Sequence, residues 1–177
     1  NHQSVANWVK AYAAQLPPAP LPEKVETIEM DELHTFIEHK KNKIYIMTFV
    51  DRATRGIVGW RAAYQVTDDL LRAVADDAPQ AHWYYSDELA AYQDLAFDFG
   101  IHFAMPDKSQ TYSVEGDNAE LRHYLARLAR KSRCFSRCID ALRAAVRLFV
   151  FCWNHCQLDK LTFDYPSHLF EFLSPAF

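Results

Sequence analysis

Between positions 25 and 64 apolar residues recur through three short runs, Val25 to Phe36, Ile44 to Asp51 and Ile57 to Tyr64, separated by polar or glycine-containing links. Such runs read as extended segments, and three strands are expected here. The last two are joined by Arg52-Ala53-Thr54-Arg55-Gly56, a short glycine-closed link that favours an antiparallel meander. From Thr67 the spacing lengthens to the helical one, with Asp68 and Asp69 in a first turn where the helix dipole favours acids, and Ala78-Pro79 ends the segment. Trp83 to Ser86 predicts a fourth strand, Glu88 to Leu95 a short helix and Ile101 to Ala104 a fifth strand. A polar loop, Asp107 to Ser113, then leads to a basic helix from Val114 to about Ala129 and a long apolar helix from Ser136 to Gln157. Ahead of all this, Ser4 to Ala13 predicts a helix with Ser4 as N-cap and Val5, Trp8, Val9 and Tyr12 on its apolar face. Pro17, Pro18, Pro20 and Pro22 cannot continue that helix and predict an extended tether.

The expected organisation is therefore a helix with a proline-rich linker over 1–22 and one domain over 23–177. Three antiparallel strands followed by helix, strand, helix, strand and helix is the order of a ribonuclease-H-like α/β fold. Its five-stranded mixed sheet would carry three antiparallel strands, then two parallel ones, flanked by helices. Half of the 177 residues are hydrophobic, enough for one substantial core. The longest apolar run, Leu148 to Trp153, falls far short of the ~20 residues that cross a bilayer, so no membrane association and an intracellular location are expected. The chain opens at Asn1, inside a helical pattern, and a preceding module is expected.

Charge changes the picture through its distribution. The formal net charge is −4, with 19 basic and 23 acidic residues. Acids concentrate in 23–38 and 68–98, while Arg122, Arg127, Arg130, Lys131, Arg133 and Arg137 follow one another without an intervening acid. A negative region beside a positive strip suits a metal-dependent enzyme acting on nucleic acid. Cys134, Cys138, Cys152 and Cys156 form two pairs spaced by four, but Cys138 and Cys152 on one helix would lie about 21 Å apart, too far to share zinc. They are expected to be small buried hydrophobes, with a partial site from Cys152, His155 and Cys156 as the lesser alternative.

Three acids stand where divalent-metal chemistry would use them: Asp31 inside the first strand, Asp87 at the end of the fourth and Glu115 opening the basic helix. Two-metal phosphoryl transfer needs oxygen ligands converging from separate elements on ions ~3.5–4 Å apart. Pattern alone leaves alternatives open. Glu29 shares the strand face of Asp31, and Glu32 lies on the opposite one. Asp87 is equally an ordinary strand-end acid, and Glu115 an ordinary first-turn acid. Arg122, two turns after Glu115 and on the same helix face, could hold a phosphate near the metals.

These blocks resemble the transposases of the bacterial IS-one insertion-sequence family. The resemblance runs through Ile28-Glu29-Met30-Asp31-Glu32-Leu33, Val50-Asp51-Arg52-Ala53-Thr54, Tyr84-Tyr85-Ser86-Asp87, and Thr111-Tyr112-Ser113-Val114-Glu115-Gly116 onward to Ser136. It implies a DDE catalytic domain in which Asp31, Asp87 and Glu115 match the three acids and bind two magnesium or manganese ions. It also implies that residues 1–22 end a helix-turn-helix DNA reader. The expected activity is cleavage at insertion-element ends and transfer of the 3′-hydroxyl end to target DNA, by a homodimer or larger oligomer near the bacterial nucleoid. Lys108, Asn118, Arg122, Arg127, Arg130, Lys131 and Arg133 are the expected DNA contacts. Glu88, beside Asp87, departs from the family pattern. The alternatives are an inactive or domesticated DNA-binding derivative and a ribonuclease-H-like junction nuclease.

Overall fold

The computed structural model describes residues 1–87, 92, 100–106, 110–129 and 136–162. The elements are α1 (His2–Gln15), β1 (Thr27–Ile37), β2 (His39–Asp51), β3 (Ile57–Ala63), α2 (Asp68–Asp77), β4 (Trp83–Asp87), β5 (Ile101–Met105), α3 (Tyr112–Tyr124) and α4 (Ile139–Thr162). The strands form one sheet in the order β3-β2-β1-β4-β5. β1, β2 and β3 pair antiparallel, and β1, β4 and β5 pair parallel. This is the ribonuclease-H-like topology that the hydrophobic pattern predicts.

Alternation along β1 explains how both sheet faces are covered. Ile28 and Met30 point to the side of α2, where they join Met47, Phe49, Leu71, Val74 and Tyr84. Leu33 and Ile37 point to the other side and join Ile44, Ile46 and Val50 against Val114 and Leu121 of α3 and Leu142, Val146 and Val150 of α4. Each of these aliphatic side chains, once fully buried, contributes about 1.5–3 kcal/mol. The face of α4 that contains Leu142, Val146 and Val150 is thus core. Thr67 caps α2, its hydroxyl accepting from the Leu70 N–H at 3.2 Å.

The structure corrects four local expectations. α1 starts two residues earlier than the pattern suggests, because the Asn1 side chain, not Ser4, caps it by accepting from the Gln3 N–H. Its buried positions are Ala13 and Leu16, whereas Val5, Trp8 and Tyr12 are exposed. The helix docks on α4 through its small end, where Arg147 donates to the Leu16 carbonyl. α3 ends at Tyr124, five residues short of Ala129, and so releases Arg127 into the following turn. Cys138, Cys152 and Cys156 are exposed, not buried, because the core face of α4 is taken by larger aliphatics. The expected short helix over 88–95 and Cys134 lie outside the described residues, apart from the buried Tyr92. Among the described residues no helix is long and apolar enough to cross a membrane.

One buried side chain ties the proline segment to the domain. Asn154, with no exposure, accepts from the Ile57 N–H at 2.9 Å and donates to the carbonyls of Ile57 and Pro20 at 3.0 and 2.9 Å. Asn154→Ala leaves these backbone groups unmatched and is expected to cost about 2–3 kcal/mol, read as a lower urea midpoint.

Candidate active site

The parallel ladder between β1 and β4 sets the site. Thr27, Ile28 and Glu29 pair with Trp83, Tyr84 and Tyr85, and two further steps along both strands bring Asp31 level with Asp87. Oxygens of Asp31, Glu32 and Asp87 all lie within 4.8 Å of one another. Alternation had put Glu32 on the far face. The β1–β4 pairing stops at Glu29–Tyr85, and beyond it the longer glutamate side chain reaches the other two acids.

Glu32 shows what this crowding costs. Burial, and then the charges of Asp31 and Asp87, push its carboxyl up from the usual range to about 7. The hydroxyl of the buried Tyr92 faces Glu32 Oε2 at 3.5 Å, and burial followed by the nearby carboxylates raises that phenol well above its ordinary value. Behind Asp87, Ser86 Oγ donates to the Asp87 carbonyl and lies 2.9 Å from His102 Nε2.

Helix α3 is locked to this centre by three devices. Glu29, fully buried, accepts through Oε2 from the N–H groups of Ser113 and Val114 at 2.7 and 3.0 Å, so a strand acid caps the first turn of a helix 84 residues away in sequence. Its Oε1 accepts from Arg52 Nε at 2.6 Å, and Arg52 also donates to the Gln110 carbonyl and side chain. One turn along α3, Asn118 donates to Asp31 Oδ2 at 2.8 Å and accepts from Thr48 Oγ1 at 3.1 Å. Arg55, in the left-handed region with φ 62°, closes the β2–β3 link and pairs with Asp117 at 2.6 Å. Gly116 makes room for that guanidinium, since a Cβ there would stand 2.5 Å from Arg55 Nη2.

Asp117 supplies a pH signature. Burial outweighs the Arg55 hydrogen bond and charge, and lifts the carboxyl from 3.8 to about 6. Between those values the folded state holds more protons than the unfolded state, so this group's contribution to stability falls as pH rises from about 4 to 6. Asp117→Asn removes that slope. Urea midpoints of parent and variant across this range should therefore shift in favour of the variant as pH rises, and parallel curves would contradict the assignment.

The sequence-predicted residues fall into four groups. Asp31 and Asp87 meet directly, with Glu32 as an additional acid. Glu115, half-buried on α3, is outside that group, but it sits one turn before Asn118 on a helix surface that touches Asp31. Asn118 is 1% exposed with both ends of its amide engaged, so the expectation that it contacts DNA is corrected: it positions Asp31. Arg127 Nη1 donates to Ser136 Oγ and the Ala141 carbonyl, which places it as a tie to α4. Glu88, Lys108, Arg130, Lys131 and Arg133 lie outside the described residues. The exposed Cys152, His155 and Cys156 are not part of any metal-ligating group found among the described residues. Glu29, Arg52, Arg55 and Asp117 were not recognised as site supports, because each acts on a partner at least 23 positions away and leaves no periodic signal.

All donors at the centre are carboxylate oxygens, the set that magnesium and manganese prefer, and the raised Glu32 marks negative charge that a divalent cation would relieve. The residues present therefore fit such an ion.

Comparison with known proteins gives the family. A family model described as IS1 transposase, of the DDE class, matches residues 25–152. Among curated proteins no sequence matches. Similar solved structures include a chain from the simian T-cell lymphotropic virus intasome in complex with PP2A regulatory subunit B56 gamma, at 16% identity and TM-score 0.48, covering 76% of this chain and 52% of that one. The catalytic core domain of BIV integrase is similar at 14% identity and TM-score 0.47, and that of HTLV-2 integrase with magnesium at 16% and 0.47; each covers 71% of this chain and 84% of the other. The chain spans about half the length of the first of these. With the family match spanning both strand acids and the helix that bears Glu115, the chain belongs to the IS1 family of DDE transposases.

Proposed function

We propose that this chain cleaves phosphodiester bonds at the ends of an insertion element and joins the freed 3′-hydroxyl to target DNA, with Asp31, Asp87 and Glu115 as catalytic acids and metal ligands. The convergence of Asp31, Glu32 and Asp87 oxygens within 4.8 Å carries this reading. Two magnesium or manganese ions held there would stabilise the charge that develops at phosphorus and clamp the attacking and leaving oxygens.

The chain's own residues prepare the site. Asn118 donates to Asp31 Oδ2, and the Glu29 cap fixes the start of α3, the helix that bears Glu115. The Tyr92 hydroxyl supports Glu32 from beneath. Arg122, two turns beyond Glu115, and Lys108, Arg130, Lys131 and Arg133 would contact phosphates, which positions DNA without reading its sequence. Residues 1–22 would link the domain to a DNA-reading module. The partners are element ends and target DNA, the assembly a homodimer or larger oligomer, and the location the bacterial cytoplasm beside the nucleoid.

The test incubates the full chain with precut element-end oligonucleotides and supercoiled plasmid in magnesium. Joined product supports the proposal. Cutting without joining would identify a junction nuclease, and neither product together with no manganese binding by calorimetry would identify an inactive derivative.

A further inference from the structure

Beside the acids, on the same sheet face, runs a row of aromatic side chains that belongs to neither core cluster and that the proposed chemistry does not use. Trp83, Tyr85 and Asp87 alternate onto one face of β4, the face that Glu29 shares across the ladder. Phe103 of β5 stacks on Tyr85 with ring centres 5.4 Å apart at 18°, and Trp83 lies 5.9 Å from Phe103. On the other side of Tyr85 the Arg52 guanidinium sits 4.7 Å from its ring and 5.4 Å from that of Tyr112. The row is continuous from the edge strand to the first residue of α3, one turn before Glu115.

Three properties decide what it would hold. Its large rings are open: Trp83 is 38% exposed, Phe103 37% and Tyr112 58%, although the core clusters fill both faces of β1, β2 and β3. Its charge is balanced, because Arg52 is paired with Glu29, so it offers a phosphate little. Its place is next to the acids: Tyr85 is two residues, about 7 Å of strand, from Asp87. Neutral planar faces on adjacent strands suit the faces of nucleic-acid bases, which a paired duplex hides and an unpaired stretch exposes.

We propose that Trp83, Phe103, Tyr85 and Tyr112, with Arg52 between the tyrosines, form a stacking platform for unpaired bases of the DNA strand held at the acids. This rests on the transposase reading. Unpaired bases beside the scissile phosphate would dock here, and their stacking would hold the strand against slippage.

The experiment uses the full chain and a hairpin duplex with or without a single-stranded tail that contains 2-aminopurine. The parent is expected to bind the tailed duplex more tightly and to quench the tail's fluorescence. Trp83→Leu and Phe103→Leu keep apolar bulk but remove the ring face; each is expected to weaken tailed-duplex binding roughly tenfold while leaving blunt-duplex binding unchanged. Equal loss on both duplexes, or no loss in either variant, overturns the platform. So does a fall in sedimenting mass of DNA-free protein on Trp83→Leu, which would assign the row to a second copy of the chain. Strand joining is assayed in parallel: joining without tail preference sinks only the platform, and tail binding without joining sinks only the transposase reading.

Discussion

Asp31→Asn lowers divalent-cation-dependent strand joining on the order of a thousandfold or more while leaving the fold and DNA affinity in place. The substitution is a clean one because Asn118 Nδ2 donates to Asp31 Oδ2, and an asparagine side-chain oxygen can accept the same bond. Only the negative charge goes. Asp87→Asn acts alike, since its carboxylate meets the same centre from β4. DNA affinity should hold or rise, because an acid near phosphate has been neutralised. Manganese titration separates a lost ligand from a lost contact: both variants should bind the ion more weakly without DNA. Normal joining by either variant removes that acid from the site. Glu115→Gln extends the comparison to α3. If Glu115 belongs to the metal set, its loss should weaken joining with little change in melting, as expected for a half-buried residue outside the core clusters.

The fold was legible because its signals are local. The short extended runs of β1 to β3, the Thr67 cap and Gly56 at the hairpin each act within a few residues, and the observed topology follows from their order. Asp31 and Asp87 stood out as acids inside and at the end of strands, but the pattern left Glu29, Glu32 and an ordinary turn acid open, and it was the family resemblance that singled them out. The supports were not legible. Glu29 and Asp31 share one strand face and look alike in sequence, and only the docking of α3 separates a helix cap from the acid that meets Asp87. Glu32 was an open alternative placed by alternation on the opposite face, and its length and the end of the β1–β4 pairing bring it to the centre. Asn118 looked like a polar residue on a basic helix. Its burial depends on Thr48 and Asp31, 70 and 87 positions away. The apolar stripe of α1 misled because Ala13 and Leu16, not the large side chains, meet α4.

Glu29→Ala is expected to be the most damaging substitution outside the acids. It removes an ion pair whose carboxylate is fully buried and leaves two N–H groups at the start of α3 without their acceptor. Breaking such a pair from one side costs about 3–5 kcal/mol, a large part of the 5–15 kcal/mol that stabilises a typical domain. The melting temperature should fall by roughly 6–20 °C. Glu29→Gln keeps one oxygen acceptor and the side-chain shape, so it should lose less. Manganese affinity distinguishes the two roles that the sequence allowed this residue. As a cap, Glu29 acts through α3: Glu29→Ala should loosen the helix that presents Glu115 and Asn118 and weaken ion binding, while Glu29→Gln, whose one oxygen can still accept from Ser113 and Val114 but whose amide cannot pair with Arg52, should restore both in part. As a metal ligand, Glu29 would contribute charge directly, and Glu29→Gln would abolish ion binding with the fold intact. Because both oxygens of Glu29 are already bonded to Arg52, Ser113 and Val114, the first outcome is the one the geometry requires.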